Sequence, residues 1–105
     1  MMGFPLLCEA IRQRRQVNFI YKSTRWTVEP HLLGYTPYGD TMLNGWVLAN
    51  RRMTGWQQFH VPLISNVTLL KSRILRTRPD YDPYDQSIAQ VVWRLENISA
   101  SFEVE

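Results

Sequence analysis

The residues of this 105-residue chain whose types and spacing suit chemistry are mostly cationic and aromatic. Arg51 and Arg52 form a pair shortly before Trp56. Basic residues interleaved with aromatics grip single-stranded nucleic acid, with cations on phosphates and rings against bases. Lys71, Arg73, Arg76 and Arg78 recur every two or three residues. On an extended segment Lys71 and Arg73 share a face and can follow a phosphate backbone. Both groups have a plainer account. Arg51 and Arg52 also suit a solvated loop, and the later cations can pair with Asp80, Asp82 and Asp85 in surface salt bridges that contribute little. Arg12, Arg14 and Arg15 fit the solvated face and the C-terminal end of a helix, where cations complement the dipole.

Motifs for catalysis are missing. There is no Gly-rich phosphate loop and no Gly-x-Ser-x-Gly, and His31 and His60 stand far apart with a single cysteine, Cys8. Asp80, Asp82 and Asp85 resemble the start of a calcium loop that lacks its glycine and its distal glutamate. The expectation is a non-enzymatic chain without metal or cofactor. Cys8 suits packing as a small hydrophobe. The apolar start, Met1 to Leu7, precedes the Arg12–Arg15 cluster instead of following a basic region, unlike a signal peptide. No apolar run reaches the length of a membrane span, so a cytoplasmic protein with no membrane partner is expected.

These residues need elements to position them. A chain that is 45% hydrophobic and 20% charged is globular, and its length suits one domain over residues 1–105. Charge is unevenly shared: residues 1–79 carry eleven Lys/Arg and three acids, a balance of +8, while residues 80–105 carry one Arg and six acids, a balance of −5. Pro5 begins a helix whose apolar side holds Leu6, Leu7, Ala10 and Ile11 and which ends near Arg15 or Gln16. Val17–Tyr21 and Arg25–Glu29 read as a hairpin, with Pro30 at a bend and Leu32–Tyr35 continuing extended. Thr41–Ala49 is the longest strand. Its Asn44-Gly45 would ordinarily signal a turn, but the Pro37/Gly39 turn lies too close for a second reversal, so Gly45 marks a bulge or bend. Gln57–Val61 and Asn66–Leu70 complete five strands on either side of Pro62. After a loop from Arg78 to Pro83, Asp85 suits an N-cap, and Ile88, Val91, Val92 and Leu95 follow at helical spacing. The predicted architecture is mainly β: a small five-stranded barrel over about residues 6–75, with an N-terminal helix and a C-terminal loop and helix over about 76–97.

The pattern resembles the WYL domain, a module with an Sm-like (SH3-like) barrel found in bacterial transcriptional regulators and phage-defence proteins. The matching residues are Ala10-Ile11, Val17-Asn18-Phe19-Ile20-Tyr21 and Arg25-Trp26-Thr27-Val28-Glu29-Pro30-His31. Downstream come Gly39-x-x-x-Leu43-x-Gly45-Trp46 and Trp56-x-x-Phe59-x-Val61-x-x-Ile64. Arg78-x-x-Tyr81-x-x-Tyr84-Asp85 resembles the ending of short, stand-alone members. The family's naming tripeptide falls at Thr41-Met42-Leu43, and Gln57 and Leu63 stand where many members carry arginines of a basic pocket.

The resemblance places Tyr21, Arg25 and His31 in that ligand pocket. A guanidinium fork, a phenol and an imidazole suit an anion. The same residues also fit a core tyrosine, an Arg25–Glu29 pair across a strand, and a turn-capping histidine. The expected function is a ligand-sensing or regulatory module that takes single-stranded nucleic acid or a nucleotide-like anion through Tyr21, Arg25, His31, Arg51, Arg52, Lys71 and Arg73. The alternative is a protein–protein module, forming a homo-oligomer or docking on a partner encoded nearby, with no nucleic-acid ligand.

Overall fold

The computed structural model describes residues 3–49 and 54–96. They form one helix, α1 (Gly3–Gln13), and six strands: β1 (Arg15–Tyr21), β2 (Thr24–Tyr35), β3 (Thr41–Ala49), β4 (Gly55–His60), β5 (Ser65–Arg73) and β6 (Gln90–Arg94). A 3₁₀ turn, Val61–Leu63, separates β4 from β5, with Pro62 inside it. Pro5 lies in the first turn of α1, which buries Leu7, Ala10 and Ile11. The helix stops slightly earlier than expected. Arg14 takes a left-handed conformation (φ 56°), its N–H bonds Ile11 O (3.1 Å), and Arg15 opens β1 directly.

β1 and β2 are joined by a two-residue turn, Lys22-Ser23, with both residues at positive φ. That geometry matches the twist of the flanking strands. β2 continues through Pro30 because a bulge sits there: Pro30 pairs with Gly45 and Leu32 with Asn44, which leaves His31 as the extra residue. Gly45 is required opposite the bulge, since a Cβ there would run into the Val28 side chain and come within 3.3 Å of Glu29 O. β3 therefore passes straight through Asn44-Gly45, as the sequence suggests.

The sheet is antiparallel, in the order β4-β3-β2-β1-β5, with β6 paired to β2. This corrects the closed five-stranded barrel. The path ends at β4 and β5, which do not pair, so the sheet is open. α1 packs on β1, β2, β5 and β6, and its apolar side covers the core instead of a closing seam. The C-terminal helix is also corrected. Residues Gln90–Arg94 are a strand, because β1 pairs only with the first half of β2 and leaves an edge along Leu32–Tyr35. The β-branched and aromatic run Val91-Val92-Trp93 suits that edge. Asp85 makes an Asx turn (Ser87 N–H to Oδ1, 2.8 Å) rather than a helix cap. Gly34 lets β6 approach, since a Cβ there would collide with the backbone carbonyl of Gln90.

The core centres on Phe59, whose ring meets Phe19, Tyr21 and Trp26 edge-on at 5.0, 5.0 and 5.3 Å. Trp46 and Trp56 are half-buried and meet edge-on at 5.5 Å, while Trp93 is more exposed. Among the described residues no helix is long and apolar enough to cross a membrane.

Candidate functional site

The structure does not bring Tyr21, Arg25 and His31 together as a pocket. Tyr21 is 2% exposed within the aromatic core, and its hydroxyl accepts the His60 N–H (3.2 Å). Arg25 is exposed on β2 opposite Ile20, where it donates to Asn18 Oδ1 (3.2 Å) and not to Glu29. His31 is fully buried at the bulge. Arg51 and Arg52 lie outside the described residues. Gln57 is half-buried on β4, and Leu63 is exposed on the 3₁₀ turn.

What holds Glu29 and His31 is Arg78, a residue distant in sequence. Its Nε donates to Glu29 Oε1 (2.7 Å) and its Nη2 to Oε2 (3.3 Å), while Gln16 Nε2 adds a bond to Oε2 (3.1 Å). The guanidinium also lies over the Trp46 ring, 5.4 Å from its centroid. Arg78 therefore answers Glu29, and the pairing with nearby aspartates expected for it does not form. The Arg78 backbone N–H donates to His31 Nε2 (3.3 Å), so Nε2 carries no proton. Nδ1, 2.8 Å from Glu29 O, must then be the N–H donor. His31 is thus a neutral structural pillar, edge-on to Trp56 and Tyr81 at 4.8 and 4.9 Å.

Burial pushes the His31 pKa below its ordinary value, against a smaller raising effect of its bond to Glu29 O. The folded state therefore takes up a proton less readily than the unfolded chain, and stability falls as pH drops below the ordinary histidine value of about 6.5. The slope should approach about 1.4 kcal/mol per pH unit until the lowered folded-state pKa is reached. Urea midpoints followed from neutral pH into mild acid should show this decline. An equal decline in His31→Gln would assign it to another group.

The cations form a site elsewhere. In the β1–β5 register Arg15 faces Arg73, and the Ile74 N–H bonds Arg14 O (2.8 Å). Arg73 Nη1 reaches Gln13 O (3.4 Å), and Arg15 Nε donates to Leu70 O (2.7 Å). The end of α1 and the end of β5 thereby bring two basic runs to one edge of the sheet. Arg14, Lys71 and Arg73 are exposed there and Arg15 is half-buried; Arg76, also exposed, follows shortly after β5. Lys71 and Arg73 are both exposed on β5, but a bulge against β1 between Leu69 and Arg73 interrupts the strict alternation that their spacing assumes. Arg12 is already tied to Glu9 by a hydrogen-bonded ion pair. Among the described residues no carboxylate pairs with Arg14, Arg15, Lys71, Arg73 or Arg76.

No family model, curated protein or solved structure matches this chain.

The basic edge rests on geometry alone. Arg14 and Arg15 stand out in the sequence only as a helix end; the antiparallel return of β5 is what adds them to Lys71 and Arg73. Cations gathered at one edge raise the local potential, an arrangement that can attract a polyanion without fixing a single phosphate geometry. Arg25 faces Ile20, at the other end of β1 from Arg15, roughly 17 Å away at about 3.3 Å per residue. It belongs to a different part of the surface.

Proposed function

We propose that this chain is a non-enzymatic binding module that holds single-stranded nucleic acid, or a shorter nucleotide-like anion, on the edge built from Arg14, Arg15, Lys71, Arg73 and Arg76. The observation that carries the proposal is the Arg15–Arg73 register, which merges two basic runs with no carboxylate partner among the described residues. Resemblance to the WYL domain supports a regulatory or accessory role.

Binding of this kind depends on counterion release, with about 0.7 units of log K lost per phosphate contact for each tenfold rise in salt. A labelled oligonucleotide titrated at several salt concentrations should give such a slope. Replacing Lys71 and Arg73 with alanine together should flatten it by about 1.4 units, if each holds one phosphate. No binding at low salt, or an unchanged slope in the double variant, would overturn the proposal.

A second reading is favoured by one feature. The sheet ends at β4 and β5, and unpaired strand edges template assembly. Leu63 and Leu75, 61% and 77% exposed, flank β5 on either side. A module that joins copies of itself or a partner protein would use these edges. Light scattering over a dilution series separates the two: a tight oligomer indifferent to oligonucleotide favours this reading.

A further inference from the structure

The surface opposite in character to the basic edge is a cleft of about 310 Å³ between β4 and the segment that precedes β6. Asp80, Asp82 and Asp85 line it, together with Trp56, Tyr81 and Asn44, and among the described residues no Lys or Arg contributes to its wall. Two carboxylates are partly used by the backbone: Asp82 Oδ1 accepts the Tyr84 N–H (2.9 Å), and Asp85 Oδ1 accepts the Ser87 N–H (2.8 Å). Asp85 Oδ2 accepts from Asn44, which leaves Asp82 Oδ2 and both oxygens of Asp80 without a hydrogen-bond partner among the described residues.

Asn44 is the independent sign of a ligand. It is 8% exposed, and its Nδ2 is turned to Asp85 Oδ2 (3.4 Å). Since a carboxylate can only accept, that contact fixes the amide orientation and presents Oδ1 as the other group. Asn44 lines the cleft, and among the described residues its buried Oδ1 has no hydrogen-bond partner. A buried acceptor without a donor is costly and calls for one.

The walls restrict which donor it is. The Trp56 N–H is already given to Pro79 O (2.8 Å), and the Tyr81 hydroxyl is held by His31 O and Leu95 O (3.0 and 2.6 Å). These residues therefore offer their rings, inclined by only 25° with centroids 6.0 Å apart. Gln57 turns its Nε2 to Gln58 O (3.0 Å), which leaves its amide oxygen as another acceptor at the wall. Carboxylates, amide oxygens and ring faces together complement a planar cation with several N–H donors. Among the described residues no group of three acidic, His or Cys side chains is arranged to hold a metal ion. The carboxylates also repel phosphate, so the anion of the basic edge cannot be the occupant.

We propose that this cleft binds a guanidinium group, stacked against Trp56 and Tyr81 and donating to Asn44 Oδ1 and the carboxylates of Asp80 and Asp82. Its source is either a small guanidinium compound or an arginine side chain of a peptide. The test follows the Trp56 indole N–H by NMR, assigned by its loss in Trp56→Phe. The probes are agmatine, a blocked arginine peptide, putrescine as a diamine without guanidinium, and sodium chloride at matched ionic strength.

Agmatine at millimolar concentration should shift that resonance saturably, and Asp80→Asn with Asp82→Asn should weaken it at least about tenfold. Asn tolerates the left-handed backbone of Asp80 (φ 66°), and the spectrum of the variant reports that it is folded. Similar affinity for agmatine and the peptide assigns a small compound. A peptide bound about tenfold more tightly assigns a polypeptide side chain. An equal shift with sodium chloride or putrescine, no saturable shift, or a folded double variant that still binds would each overturn the proposal. Since oligonucleotide binding reads a different edge, failure here leaves the basic-edge proposal standing.

Discussion

Arg78→Ala is expected to destabilise the protein by about 3 kcal/mol, near the lower end of what removing one partner of a buried ion pair costs. Glu29 is 3% exposed, and in the variant its carboxylate would keep only the Gln16 bond. The lower end applies because the Arg78 side chain is itself 34% exposed, so water can enter and partly replace it. Against a typical domain stability of about 5–15 kcal/mol this is a large fraction. A double replacement, Glu29→Gln with Arg78→Met, should recover much of the loss, because no charge is then left buried. Urea unfolding of the three proteins measures both effects. A loss below about 1 kcal/mol in Arg78→Ala would mean that the pair behaves as a surface salt bridge. The same variant should loosen the segment around Pro79 and Tyr81, which the Arg78 side chain fastens to β2 through Glu29, so proteolysis there should accelerate even though the backbone bond to His31 is kept.

Local rules made much of this fold legible. The stripe Leu7, Ala10, Ile11 identifies α1, and alternating or β-branched runs locate β1 to β5 to within a few residues. Steric crowding of turns was enough to keep β3 continuous across Asn44-Gly45. The C-terminal element was not legible, because Ile88, Val91, Val92 and Leu95 satisfy a helical period while Val91-Val92-Trp93 satisfies a strand. What decides is a partner edge on β2, and that edge exists only once β1 has ended. The site follows the same division. Spacing reveals that Lys71 and Arg73 sit close together on one strand; the bulge between Leu69 and Arg73 and the union with Arg14 and Arg15 need the β1–β5 register, which spacing does not show. His31 resembles an anion ligand by type, yet a bulge turns it inward between Glu29 O and the Arg78 N–H. Nothing in Glu29-Pro30-His31 announces a partner as distant as Arg78.

Phe59→Ala should cost about 3–5 kcal/mol, the range for deleting a large buried aromatic side chain. Phe59 is fully buried, and three edge-on rings would lose their common neighbour: Phe19, Tyr21 and Trp26. Such pairs contribute beyond the buried area, and the rigid ring on β4 leaves a cavity that the flanking strands cannot close. Tyr21 offers a sharper comparison, because its ring belongs to this cluster and its hydroxyl only accepts the His60 N–H at 3.2 Å. Tyr21→Phe keeps the ring and removes one hydrogen bond, so a cost of about 1 kcal/mol is expected. Oligonucleotide affinity should stay unchanged in Tyr21→Phe, while it falls in the Lys71/Arg73 double variant. Loss of affinity in Tyr21→Phe at preserved stability would instead mean that the phenol reaches a ligand, which its 2% exposure opposes. The pair of measurements therefore separates a tyrosine that packs from one that binds.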